Sequence, residues 1–245
     1  LFIEHADTEQ LPYNLGAFHQ GDLVEITLKM HGTSQRTGYL PMLSGYKRTL
    51  LDKLFRRPGT PIYDWGYVTG TRRVVLDTYD GGFYGSNAFR EQHAKMFEGK
   101  LHKGETVYYE VVGFTDDGTP IMASCDNKKV GDKDFVKQYG KQTVFSYGCS
   151  PDSVDAPKSA LYVYRMTMTN EDGDVVEYSP FFMRYRCEQM GVNCVPLLWS
   201  GFVPENDNPG EWVKGVAECY YDGADPIGKS HVREGVVCLL YTSPS

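Results

Sequence analysis

The 245-residue sequence lacks any long apolar run: the longest, Val236-Val237-Cys238-Leu239-Leu240-Tyr241, has six residues, whereas a spanning helix needs ~20. No membrane partner is expected. A CxxC pair and a His–Cys ladder with zinc spacing are also missing. The six cysteines, at 125, 149, 187, 194, 219 and 238, are scattered and read as reduced thiols of a cytoplasmic protein. The opening Leu1-Phe2-Ile3-Glu4-His5-Ala6-Asp7 has no basic or apolar signal region and no initiator methionine. Repeats, low-complexity tracts and linker-like stretches are absent too, so one domain over residues 1–245 is expected. The chain stops at Tyr-Thr-Ser-Pro-Ser straight after an apolar run. Both ends therefore read as cut, and residues 242–245 as a non-native tail.

Basic charge is in deficit as well. A net charge of −7 argues against a general nucleic-acid coat. The average hides an asymmetry. From Lys29 to Thr60, seven basic residues (29, 36, 47, 48, 53, 56, 57) face one acid, Asp52, leaving −13 elsewhere. A local basic stripe on an acidic protein fits a focused polyanion site. With 41% hydrophobic and 23% charged residues the chain can bury a core, which excludes disordered and collagenous classes.

What is present is an interleaving of strands and helices. Leu23–Met30 alternates, with Val24, Ile26, Leu28 and Met30 on one face and Glu25, Thr27 and Lys29 on the other. A turn at 31–34 and a second extended run follow. Leu50, Leu51, Leu54 and Phe55 have helical spacing within Lys47–Arg57, which Pro58-Gly59 ends. Strands are expected at Tyr63–Leu76, Thr106–Phe114, Thr143–Tyr147 and Glu234–Tyr241. A hairpin joins Ala160–Thr169 to Val175–Tyr178. Helices are expected at Phe89–Leu101, Asp132–Tyr139, Glu211–Tyr221 and from Ser179-Pro180, an N-cap and N1 pair, to Gly191. Hairpin turns favour antiparallel pairing, so the class is α+β.

Gly223-Ala-Asp-Pro-Ile-Gly228-Lys229-Ser230 matches the P-loop pattern GxxxxGK[ST]. A P-loop needs a helix directly after the lysine, so that its first amides cradle phosphate. Here a β-branched run follows instead, and a glycine-rich turn before a strand is the better reading. Lys29-Met30-His31-Gly32 closes the first strand. An amine emerging there, partly buried at the rim of a sheet, has the setting of a nucleophile, although a lone lysine is ordinarily solvated surface. Glu110, in Tyr108-Tyr109-Glu110-Val111-Val112-Gly113, and Glu234, opening Glu234-Gly235-Val236-Val237, are either outward-facing acids or carboxylates for a metal or ligand. Arg72 and Arg73, after Gly70-Thr71, are either surface charges or a phosphate clamp. The strand Leu161-Tyr162-Val163-Tyr164-Arg165-Met166 supplies core packing or a stacking face for a base.

Each motif alone is weak, but their order carries information. K-x-H-G, then GTRR, an aromatic-E-V-V-G strand, an aromatic strand and E-G-V-V succeed one another between residues 20 and 241. That succession resembles the covalent nucleotidyltransferases, and His31 followed by Gly32-Thr33 resembles the ATP-dependent RNA ligase branch of phage double-strand and RNA-editing type. The resemblance implies an ATP-grasp-like ligase domain of antiparallel sheets flanked by helices. It further implies that Lys29 attacks the α-phosphate of ATP, with Mg²⁺ or Mn²⁺ as cofactor, and forms lysyl-AMP. AMP then passes to a 5′-phosphate RNA end and is displaced by a 3′-hydroxyl. His31 and Gly32 would shape the turn, Glu234 would contact the metal, and Glu110 would hold the ribose or support the metal. Tyr164 would stack on adenine and Arg72 would bind phosphate, with Arg73 its rival. The expected partners are ATP and nicked or broken RNA ends, met by a monomer. In the family a final K-x-K motif follows E-G-x-V; no lysine follows Lys229 here, which reads as a truncation. Tyr109 stands where a glycine often precedes the acid, and is expected to crowd the ribose site. The alternatives are a DNA ligase or capping-type nucleotidyltransferase, and a catalytically decayed RNA-binding module.

Overall fold

The computed structural model describes residues 2–5, 8–81, 83–84, 86–170 and 172–241. Ala6, Asp7 and the tail at 242–245, singled out above, lie outside these. The chain forms two compact units, one of residues 1–5, 34–109 and 163–192, the other of residues 6–33, 110–162 and 193–245. The strands are β1 (Leu23–Leu28), β2 (Thr33–Lys47), β3 (Thr60–Thr71), β4 (Glu105–Gly113), β5 (Ser124–Asp126), β6 (Gln142–Val144), β7 (Ser159–Thr169), β8 (Val175–Glu177), β9 (Asn193–Cys194), β10 (Leu197–Phe202) and β11 (Val236–Tyr241). The helices are α1 (Leu50–Leu54), α2 (Ala88–Lys95), α3 (Lys133–Tyr139), α4 (Pro180–Met190) and α5 (Pro209–Tyr221). The class is α+β, as the hairpin turns imply. Among the described residues no helix is long and apolar enough to cross a membrane.

In the first unit the sheet path runs β3-β2-β4-β7-β8, through residues 105–109 of β4 and 163–169 of β7. β2 and β3 pair antiparallel from Gln35↔Thr71 to Lys47↔Thr60, with a bulge between Leu43 and Gly45. The helix expected over Lys47–Arg57 is present as the shorter α1. β2 runs on to Lys47 and β3 starts at Thr60, and of the twelve residues between them Leu50–Leu54 are helical. Thr49 starts that helix with a reciprocal capping box, its side chain accepting the Asp52 amide while Asp52 accepts the Thr49 amide. Arg56, at φ +51, ends it. α4 begins on the Ser179 cap and stops at Gly191 in the left-handed region, where glycine carries no Cβ penalty. A buried ion pair ties α4 to β4. Arg186 donates from Nε and Nη2 to the two Glu105 oxygens at 2.8 and 2.7 Å. The His102 amide and the Tyr178 hydroxyl complete the carboxylate's partners. Burial alone would raise the Glu105 pKa; the Arg186 hydrogen bonds and charge outweigh it and hold the group below its ordinary value.

In the second unit β1 lies between β10 and β11, antiparallel to both. The sequence alternation of β1 predicted one exposed face, yet Glu25 and Thr27 are buried as well. Being central, β1 has neighbours on both edges and cover on both faces. α5 covers this sheet: Val213 packs with Phe18, Val24 and Val203, and Trp212 meets Trp199 edge-on at 5.9 Å. Gly210 allows the helix start to press on the Leu15 carbonyl, where a Cβ would stand 2.2 Å away. β10 had no counterpart among the expected strands, because Leu197–Phe202 shows no alternation and is partly exposed on both faces.

Removing the Glu105 charge by Glu105→Gln leaves the Arg186 guanidinium buried without a counter-ion, and should cost about 3–5 kcal/mol in chemical denaturation. The sign follows from the lowered pKa. Glu105 contributes stability above its ordinary value near 4.5 and loses it as pH falls through the lower folded value. The variant should lack that acid-dependent limb.

Candidate active site

The pairing of β1 with β11 sets the first geometry. Leu28 faces Val236, and the Lys29 amide donates to the Gly235 carbonyl at 3.0 Å. Lys29 thus leaves the strand end beside Glu234. Its Nζ donates to Glu234 Oε1 at 2.9 Å, and His31 Nδ1 lies 3.1 Å from the same oxygen. Burial would raise the Glu234 pKa, but the hydrogen bonds and charges of His31 and Lys29 outweigh it and lower the value. The carboxylate is therefore kept ionised. Its second oxygen, Oε2, is buried and has no hydrogen-bond partner among the described residues. The Lys29 side chain is 51% exposed, so the ion pair, rather than the burial expected from the sequence, is what positions it.

The turn after Lys29 is held from below. The His31 amide donates to Tyr147 Oη at 2.8 Å, and the His31 ring meets Phe145 edge-on at 4.7 Å. A Cβ on Gly32 would stand 2.3 Å from the Val111 carbonyl and 3.0 Å from Glu110 Cγ. Only glycine lets the turn approach β4 there, and that approach sets Gly32 against Glu110. Tyr147 is buried at φ +48, a strained conformation for an aromatic residue. Burial, then the charges of Glu234, Asp225 and Glu110, push its phenol pKa up, so it stays protonated. Its own amide donates to His231 Nε2 at 3.2 Å, which assigns the His231 proton to Nδ1, donating to the Val232 carbonyl at 2.8 Å.

The P-loop lookalike lies directly behind this pair. No helix follows Lys229; Ala224 instead bridges to Val232. Buried Asp225 draws the loop inward, Oδ2 accepting the Gly228 and Lys229 amides at 2.6 and 3.3 Å. A Cβ on Gly228 would stand 2.3 Å from the Gly148 amide nitrogen. The glycine serves a close backbone crossing under Tyr147, and the loop's amides are turned onto the protein's own carboxylate. Tyr147, Phe145 and His231 were missed in the sequence because Phe145-Ser146-Tyr147-Gly148 carries no motif. A glycine directly after an aromatic pair was its one signal of a tight turn.

The second unit thus brings Lys29, His31, Gly32, Glu110 and Glu234 together, while Arg72 and Tyr164 belong to the first. There Tyr164 Oη lies 3.2 Å from His5 Nδ1, and the two rings meet edge-on at 5.3 Å. Burial, then the cations Arg72, Arg165 and Arg36, lower the His5 pKa. Arg36 is buried beneath the Phe2 ring and donates to the carbonyls of Thr71 and Arg72. It thereby fixes the turn that carries Arg72 and Arg73, both exposed. Tyr109 is buried within the first unit, its hydroxyl 3.0 Å from that of Thr37.

Within the second unit a cavity of about 1030 Å³ opens on Lys29 and Glu234, bounded also by Lys129, Phe145 and Arg233. It is of the size that takes a small molecule or cofactor, ~300–1,000 Å³. No cluster of three His, Cys, Asp or Glu side chains able to cage a metal occurs among the described residues. A divalent cation here would need one carboxylate together with ligand phosphates and waters, the usual manner of Mg²⁺. Glu234 Oε2, buried and unpartnered, fits that manner of binding.

No protein-family profile and no curated protein sequence matches the chain. Solved structures do. A Naegleria gruberi RNA ligase variant with ATP and Mn is 14% identical at a TM-score of 0.53, over 98% of this chain and 53% of that one. The same ligase with PPi gives a TM-score of 0.55 at 14% identity, over 97% and 52%. A further variant with AMP and Mn gives 0.52 at 13% identity, over 98% and 53%. The chain spans about half the length of these proteins. At this identity the likeness is one of fold.

Tyr147→Phe removes the acceptor of the His31 amide with little change in volume. It should cost about 1 kcal/mol in denaturation and move the His31 amide resonance; an unmoved resonance would mean that Tyr147 does not hold the turn. The chain shares the fold of the solved Naegleria gruberi RNA ligase structures.

Proposed function

We propose that this chain is the catalytic domain of an ATP-dependent RNA ligase. The observation that carries the reading is the ion pair of Lys29 with Glu234, shared with His31 and set beside a glycine turn, on the fold of known RNA ligase structures. Lys29 is the nucleophile. A neutral Nζ forms a bond to the α-phosphorus of ATP as the bond from that phosphorus to the bridging oxygen breaks. Pyrophosphate leaves, the nitrogen loses a proton, and lysyl-AMP remains. An oxygen of an RNA 5′-phosphate next takes the adenylyl group from Lys29, and a 3′-hydroxyl then displaces AMP to form the phosphodiester.

The chain's own groups supply orientation and charge. Glu234 anchors Lys29 through Oε1 and leaves Oε2 for a divalent cation. Bound there, Mg²⁺ or Mn²⁺ would neutralise phosphate charge. His31 and Gly32 keep the turn in place, and Glu110 beside Gly32 is assigned to the ribose. Tyr164 is assigned to the adenine face, where His5 now packs, and Arg72 to a phosphate. Phosphoryl transfer depends on such placement and neutralisation more than on new covalent chemistry.

The test is to incubate the protein with a divalent metal and α-labelled ATP, with labelled GTP in parallel, and to denature it. Label should survive denaturation with ATP alone. It should vanish in Lys29→Ala, fall by at least ~100-fold in Glu234→Ala, and persist in Lys229→Ala. Label that survives Lys29→Ala and is lost in Lys229→Ala would refute the reading.

A further inference from the structure

The basic stripe seen in the sequence divides in the structure. Lys29 is held by Glu234, and Arg36 is buried beneath Phe2. The other five cations, Lys47, Arg48, Lys53, Arg56 and Arg57, collect at the far end of the β2–β3 hairpin. β2 is buried or half-buried through Pro41 and almost wholly exposed from Met42, and β3 is exposed from Thr60 to Asp64. Residues 42–64 thus form an arm whose strands of six and five residues reach roughly 15–20 Å beyond the packed part of the sheet.

Two features set this arm apart from ordinary surface. None of the five cations forms an ion pair among the described residues, although Arg48 donates to the Pro58 carbonyl and Arg57 lies 5.6 Å from the centre of the Phe55 ring. Its helix is turned inside out. Leu50 is 84% exposed, and aromatic rings stand in solvent beside the charges: Phe55 at 62%, Tyr63 at 55% and Tyr46 at 49%. The arm has five basic and two acidic residues, whereas the rest of the chain has twenty basic and thirty acidic.

Cations interleaved with exposed aromatic faces are the chemistry that holds single-stranded nucleic acid, the cations tracking phosphates while bases stack. A duplex hides its base faces and would leave the rings unused. An anionic membrane is a broad charged plane. The arm's reach exceeds a Debye length of ~8 Å, so charge alone does not choose between the two; the RNA ligase reading chooses nucleic acid, and the vesicle measurement below tests that choice. We propose that residues 42–64 are a docking arm for a single-stranded segment of RNA. The proposal rests on the RNA ligase reading for its choice of nucleic acid.

The experiment uses the full chain and a 5′-phosphorylated single-stranded RNA oligonucleotide, with affinity read by fluorescence anisotropy across a salt series. One variant combines Lys53→Gln, Arg56→Gln and Arg57→Gln; the other combines Tyr46→Ala, Phe55→Ala and Tyr63→Ala. Both sets are exposed, so melting should match the parent. The charge variant should bind about tenfold more weakly or worse, with a salt slope shallower by about 2, from ~0.7 per lost phosphate contact. The aromatic variant should also lose about tenfold or more. Both should keep ATP-dependent labelling.

Unchanged affinity in both variants would overturn the proposal. Loss in the charge variant alone, with equal binding of duplex RNA, would overturn the single-stranded partner. Arm-dependent sedimentation with phosphatidylserine vesicles, without RNA binding, would overturn it in favour of a lipid surface. Arm-dependent RNA binding in a parent protein that takes no label would support the arm and refute the ligase reading.

Discussion

One carboxylate oxygen organises the candidate site. Glu234 Oε1 receives Lys29 from the end of one strand and His31 from the turn beyond it. The two meet there because β1 and β11 run antiparallel with Leu28 opposite Val236. A one-residue slip in that register would turn Lys29 to the other face, since side chains alternate. The packing of α5 on β1 therefore supports the chemistry as well as the stability of the second unit.

Two carboxylates, Glu105 and Glu234, differ in an instructive way. Glu105 is enclosed, and both its oxygens are satisfied by Arg186, Tyr178 and the His102 amide. It is a structural clasp and has no capacity left. Glu234 is similarly buried at its far oxygen, yet that oxygen has no hydrogen-bond partner among the described residues. An unpaired buried acceptor costs about 1–3 kcal/mol, and a cation placed there would remove the cost. The Asp225 loop shows a third use of a buried acid. By drawing in the amides of Gly228 and Lys229 it makes a platform under Tyr147, and a phosphate-loop pattern becomes a structural turn.

Much of this was legible in the sequence where local rules decide. Ser179-Pro180 and Gly191 bound α4, and the alternation of Val24, Ile26 and Leu28 marks β1. The β-branched run after Ser230 argued rightly against a P-loop helix. What escaped depends on tertiary context. The apolar spacing around Leu50–Leu54 promised a packed helix, but strand pairing from Lys47 to Thr60 left that helix no surface to cover. Tyr147 acts through one hydroxyl and a left-handed backbone, and neither leaves a spacing pattern. Arg36 looked like part of a basic stripe and proved to be a buried brace for the turn before Arg72.

The account is tested most directly by locating the metal and nucleotide. Crystals of the Lys29→Ala protein grown with ATP and manganese would show the ion by anomalous scattering. The account predicts manganese bound to a Glu234 oxygen, with the α-phosphate beside the place of the missing Lys29 side chain. Manganese or nucleotide bound at the 223–230 loop, with Glu234 free of metal, would contradict it.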